Sequence, residues 1–232
     1  MKIRRSRLVL LTMLALLVMI VSACANSNGD KEGSGSSASP NPSASPSPEV
    51  KEPKQWSKAP DMAIDPDKSY EAEFDTSKGK FTVQLFAKEA PKTVNNFVFL
   101  SKEGFYDDVI FHRIVKTFMI QTGDPLGNGM GGPGYKIEDE LNSPYKYDPG
   151  IVAMAKTREP NSGGSQFFIC TGDDCGRNLN SNPNYTIFGK IIEGMDNVQK
   201  IAEIPVTMNP NSGESSLPTE EVKINTITIK EK

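Results

Sequence analysis

Tyr70, Ala72 and Phe74 alternate with polar neighbours, and Phe81, Val83 and Leu85 do so again across the turn-rich Ser77-Lys78-Gly79. Alternation of period two around a turn predicts a β-hairpin with one buried face. From Ala90-Pro91 the period changes, because Val94, Phe97, Val98 and Leu100 recur at helical spacing. Pro91 suits the first turn of a helix, where its missing N–H costs nothing, and Gly104 stops it. Phe105 to Asp124 is predicted as strands, followed by a glycine-rich loop from Gly127 to Gly134. Ile151 to Ala155, Gln166 to Thr171 and Tyr185 to Ile192 read as further strands, with a polar loop over Lys156 to Gly164. Glu193 to Ala202 carries Met195, Val198, Ile201 and Ala202 on one helical face. In the closing strand, Val222, Ile224, Ile227 and Ile229 change phase at Asn225-Thr226, as a bulge would require. Many short strands and two helices predict an all-β barrel with helical caps.

Within this pattern, Phe111 to Asp124 concentrates candidate chemistry. If it forms two short strands joined near Lys116-Thr117, Met119 and Gln121 share a face, and Arg113 reaches over that face from the preceding strand. Ser162 to Thr171 repeats the logic: Gln166 and Phe168 have one parity, while Phe167 and Ile169 point the other way into a core. An apolar patch with a few converging polar groups describes a small-ligand or peptide site. A buried strand pair with one snorkelling arginine is the alternative reading of the first stretch alone.

The N-terminal region carries no core pattern. Lys2, Arg4, Arg5 and Arg7 precede an apolar run from Leu8 to Ile20, the layout of a secretory signal and short for a membrane span. Val21-Ser22-Ala23-Cys24 resembles the bacterial lipoprotein processing site, which implies lipidation of Cys24 and removal of residues 1–23. Their loss would leave 22 of the 26 Lys and Arg against 29 acidic residues. Such a balance carries no electrostatic footprint for nucleic acid. Residues 24–60, with SASPNPSASPSP at their centre, are too polar to offset their ordering entropy and are expected to be a disordered tether. Trp56, the single tryptophan, either packs on the domain or stays solvated at the tether's end. Residues 61–232 are expected to form the folded domain, held at the cell membrane on its outer, extracytoplasmic side.

FHRI, FMIQTGD, the run GNGMGG from Gly127 to Gly132, MAK, GGSQFFICT and YTIFGKI occur in the order found in cyclophilins. From about Ser69 to its end the chain resembles that family of peptidyl-prolyl cis-trans isomerases. The resemblance implies an eight-stranded antiparallel barrel capped by two helices, with a substrate groove on its outer surface. It also implies isomerisation of X-Pro bonds in unfolded or partly folded polypeptides, without cofactor or metal, by a monomer; the secretory signal places that activity outside the cytoplasm. The catalytic positions fall on Arg113 and Gln121. Substrate-binding positions fall on Phe118, Met119, Gln166, Phe168, Ala155, Lys156, Leu179 and Tyr185. A binding module or holdase that keeps the groove without turnover is the rival reading.

Asn178-Leu179 stands where many cyclophilins carry Trp-Leu, and Tyr185 takes the place of a common histidine, so ligand preference is open to change. His112 is the only histidine, which excludes a multi-histidine zinc site and a triad using another His. It is expected to be a core imidazole beside Arg113. Asp124 is expected to accept structural hydrogen bonds. Cys170 and Cys175 lie five apart in a compartment that permits a disulfide. A bridge, or a buried Cys170 with an exposed Cys175, are both open.

Overall fold

The computed structural model describes residues 52–232; the expected signal segment, Cys24 and the tether up to residue 51 lie outside them. Strand β1 (Tyr70–Thr76) and strand β2 (Gly79–Leu85) form the expected hairpin, in register from Tyr70↔Leu85 to Thr76↔Gly79. Gly79 has φ 112°, which a side chain would resist, and the Thr76 hydroxyl donates to its carbonyl at 2.6 Å. On the other edge of β1 runs β10 (Ile224–Glu231), with Asp75 opposite Thr226 but Thr76 opposite Ile224. Asn225 is therefore the extra residue of a bulge, which accounts for the phase slip in the apolar pattern.

Strands β3 (Arg113–Val115), β4 (Met119–Thr122), β5 (Ile151–Met154), β6 (Phe167–Cys170) and β7 (Ile187–Glu193) complete an antiparallel sheet of order β10-β1-β2-β7-β5-β6-β4-β3. Its two outer strands approach each other just ahead of both, at an isolated bridge between Ile110 and Lys223 flanked by Phe111 N–H to Val222 O and Ile224 N–H to Val109 O, each 2.9 Å. That seam curls the sheet round a core of Phe74, Phe81, Phe97, Phe167 and Phe188, with Ile114, Ile120 and Ile169. Helix α1 (Pro91–Lys102) buries Val94, Phe97, Val98 and Leu100 in it. Its first turn has no cap of its own. Glu140, far along the chain, accepts from the N–H groups of Lys92 and Thr93 instead, placing an anion where the helix leaves donors unpaired.

Three expectations need correction. Within Phe105 to Asp124 only Arg113–Val115 and Met119–Thr122 are strands, and Phe105 to Asp108 is a turn. Among the described residues there are three helices, since a short α2 (Asp173–Leu179) precedes β7, and α3 (Met195–Ala202) follows the left-handed Gly194. A separate two-stranded ribbon, β8 (Val206–Met208) and β9 (Ser215–Pro218), also lies between α3 and β10. Trp56 packs: its ring meets Phe99 edge-on at 5.2 Å, and its backbone N–H donates to Pro133 O at 2.9 Å.

Candidate active site

Register, not loop placement, assembles the site. Across β3 and β4, Arg113 faces Gln121 and Val115 faces Met119; across β4 and β6, Gln121 faces Phe168 and Met119 faces Cys170. Residues two apart share a face, so all of these lie on the outer side, while Ile114, Ile120, Phe167 and Ile169 take the inner one. The outer side has its own apolar cluster, in which Met119 and Phe168 are buried and Phe118, Ala155, Leu179 and Tyr185 pack half-buried against it. The Tyr185 ring stands perpendicular to that of Phe168 at 5.3 Å. Leu179 arrives there at the end of α2, one residue after the exposed Asn178.

A continuous polar relay crosses this apolar floor. Arg113 Nη1 donates to Gln121 Oε1 at 3.2 Å and lies 3.6 Å from Met119 Sδ. Gln121 Nε2 donates to Gln166 Oε1 at 3.0 Å, and Gln166 Nε2 donates to the carbonyls of Gly129 and Gly131 at 3.1 and 2.9 Å. The opposite edge of the guanidinium is held by Glu214, Nε to Oε2 at 2.6 Å and Nη2 to Oε1 at 2.8 Å. This bidentate pair holds the Glu214 carboxyl below its ordinary range. Glu214 went unrecognised in the sequence, where Ser-Gly-Glu-Ser-Ser gives no periodic or motif signal.

The glycine-rich loop is shaped by Asp124, which accepts from the N–H groups of Leu126, Asn128 and Gly129, the structural role expected of it. Gly123, at φ 84°, brings β4 so close to the Ser165 carbonyl that a Cβ would collide with it. Between this loop and Ala155 opens a cavity of about 640 Å³, lined by Gln121, Met130, Pro133, Thr157 and Gln166 among others. It adjoins the Met119 and Phe168 floor through the two glutamines. Ala155 N–H donates to Gln166 O at 2.9 Å, whereas the Lys156 side chain is nearly buried and bonded to Asp139 at 2.9 Å. Lys156 thus offers the groove its backbone and not its charge.

His112 is buried, with neither ring nitrogen hydrogen-bonded; burial lowers its pKa from 6.5, with Asp124 opposing and Arg113 reinforcing. A neutral core imidazole fits that setting. Cys170 and Cys175 are joined, Cα to Cα 5.7 Å, fastening the end of β6 to the helix that carries Leu179. For so short a loop, chain entropy ascribes about 2 kcal/mol to the bridge. Cys175→Ser should lower the urea-derived unfolding free energy by about that much, and an unchanged midpoint would show the bridge to be structurally idle.

The model of the family described as cyclophilin type peptidyl-prolyl cis-trans isomerase/CLD matches residues 72–229. Peptidyl-prolyl cis-trans isomerase-like 1 of Emericella nidulans is 43% identical over 159 residues, covering 65% of this chain and 89% of that protein. The peptidyl-prolyl cis-trans isomerase CYP18-2 of Arabidopsis thaliana is 40% identical over 158 residues, covering 66% and 90%. Among solved structures, a cyclophilin type isomerase of Cryptosporidium parvum, crystallised in the presence of the dipeptide Ala-Pro, superposes with a TM-score of 0.61 at 36% identity, over 69% of this chain and 98% of that one.

Proposed function

The chain belongs to the cyclophilin-type peptidyl-prolyl cis-trans isomerases, and from that premise we propose that it turns X-Pro bonds of partly folded polypeptides outside the cytoplasm, with Arg113 as the group acting on the reacting bond. The barrier to rotation is about 18 to 20 kcal/mol, because the C–N bond is partly double. No covalent bond is made or broken in crossing it. At the twisted geometry conjugation is lost and a lone pair localises on the proline nitrogen, so a donor aimed there stabilises the transition state more than either ground state.

One observation carries the assignment: Arg113 Nη1 sits beside Gln121 Oε1 and over Met119 Sδ, a permanent cation at the edge of the outer apolar cluster. Met119, Phe168 and Phe118 form the apolar surface for that ring, with Leu179 and Tyr185 beside it. Gln121 and Gln166, at the head of the cavity, are placed to exchange their mutual bond for bonds to a peptide backbone. Exchange NMR on an Ala-Pro peptide should show faster cis/trans interconversion with wild-type protein; equal rates with and without it would overturn the assignment.

Lipid attachment at Cys24 would confine a monomeric catalyst to the extracytoplasmic face of the cell membrane, with the Ser/Pro-rich tether as spacer. The charged and apolar blocks before Ser22-Ala23-Cys24 support this reading. Two or more acyl chains give stable anchoring where one does not. Cys24→Ala should shift the protein from the membrane to the soluble fraction or leave it unprocessed. An unmodified Cys24, by mass spectrometry of membrane-bound protein, would refute the anchor.

A further inference from the structure

We propose that Glu214 is a positioning residue for catalysis, clamping the outer edge of the Arg113 guanidinium so that its Nη1 edge stays turned toward Gln121 and Met119. The inference rests on the reading of Arg113 given above. The donors of Arg113 are divided between two sides. Nε and Nη2 are both given to the Glu214 carboxylate, and Nη1 is given to the groove side. The guanidinium plane is thus fixed from two opposite edges, as a planar fork allows and an ammonium does not.

The ribbon that delivers Glu214 is built for that end. Strands β8 and β9 pair from Val206↔Pro218 to Met208↔Ser215, and β9 lies against β3, the strand bearing Arg113. The connection is tied internally: Asn209 N–H donates to Glu214 O at 2.7 Å, Gly213 N–H to Asn209 O at 2.8 Å, and Asn211 N–H to Asn209 Oδ1 at 2.9 Å. At its base Thr219 N–H donates to Pro205 O at 2.9 Å. The carboxylate is therefore presented from a closed turn, and its rotamer is the main freedom left. The ribbon contributes few residues to the core, with Ser216 buried but Met208 and Leu217 exposed. Its most specific contact with the groove is Glu214.

An unclamped arginine would sample several rotamers, and the transition state would have to select the productive one. A positioned donor does not bear that cost at the moment of reaction. Removing the clamp should therefore act on turnover and leave ground-state peptide binding, which depends on the apolar floor, in place.

The test is Glu214→Gln, nearly isosteric but able to accept on one side only, alongside Glu214→Ala. Both are expected to lower kcat for an Ala-Pro peptide about tenfold with KM unchanged. The Arg113 Nε–H resonance, protected in wild type, should exchange rapidly in both variants. Glu220→Gln, which removes a carboxylate bonded to Lys78 at 2.8 Å, controls for net charge and should alter neither. In an Arg113→Ala background, Glu214→Gln should cause no further loss, because it acts through Arg113. Unchanged or increased kcat in Glu214→Gln overturns the proposal, as does an equal loss in Glu220→Gln. If Arg113→Ala itself keeps full turnover, the reading of Arg113 fails and the clamp with it; if Arg113→Ala is inactive while Glu214→Gln is not, only the clamp fails.

Discussion

Arg113→Ala should lower turnover of an Ala-Pro peptide by about 10²- to 10³-fold, the usual loss when one preorganised donor is removed from a developing charge, while peptide affinity falls much less. The asymmetry follows from where the charge appears. In either ground state the proline nitrogen is conjugated and offers no lone pair, so Arg113 gains its interaction at the twisted state. Arg113→Lys keeps the charge but cannot span Glu214, Gln121 and the groove from one fixed plane, so it should resemble the alanine variant more than wild type. Loss of fold does not explain such a result. The Arg113–Glu214 pair leaves its side chains 31% and 37% exposed, where solvent screening reduces a pair to about 0 to 1 kcal/mol. Exchange NMR and urea midpoints, measured on the same samples, separate the two effects. A non-catalytic peptide binder predicts no change in exchange rate, because wild type would have none to lose.

The site was legible where strand parity decided it. Alternation alone assigns Met119 and Gln121, then Gln166 and Phe168, to one face; the register puts Met119, Gln121 and Phe168 there, while Gln166 lies just before β6 and joins them through its bond to Gln121. The hairpin, α1, α3 and the bulge at Asn225 were legible for the same reason: each has a face buried in one core, which leaves a period in the sequence. Elements without such a face were not. Of Asp173 to Leu179 only Cys175 is buried, so α2 shows no helical stripe. It forms beside the Cys170 bridge and beneath Thr117, whose carbonyl accepts from Asp174 N–H at 3.1 Å.

The β8–β9 ribbon is harder still to read, since its strands are short, mostly exposed and slipped in register between Thr207 and Met208. Glu214 acquires its meaning from a partner 101 residues away. No local pattern encodes that distance. At Lys156 the side chain pairs with Asp139 and leaves its backbone for the groove, in keeping with the main-chain role that the resemblance implies for this position.

Phe168→Ala should instead weaken binding and turnover together, and the difficulty is to show that the pocket, not the fold, is responsible. Emptying the apolar floor removes about 2 to 3 kcal/mol of contact for the proline ring, a factor of about 30 to 150 in kcat/KM. The same substitution removes a side chain only 5% exposed, packed on Tyr185 and flanked by Ala153 and Gln121. Large-to-small changes of that kind cost about 3 to 5 kcal/mol of stability, a large part of the 5 to 15 or so available to a domain. Phe167 supplies the comparison, being the adjacent residue, fully buried, of the same type and on the opposite face of β6 among Phe74, Phe97 and Phe188. Phe167→Leu and Phe168→Leu keep most of the volume and should unfold at similar urea concentrations. Under folding conditions Phe168→Leu should bind an Ala-Pro peptide more weakly than wild type, and Phe167→Leu should not. Equal peptide affinities in the two variants would mean that the proline ring does not rest on Phe168, and that the floor of the groove lies elsewhere on the sheet.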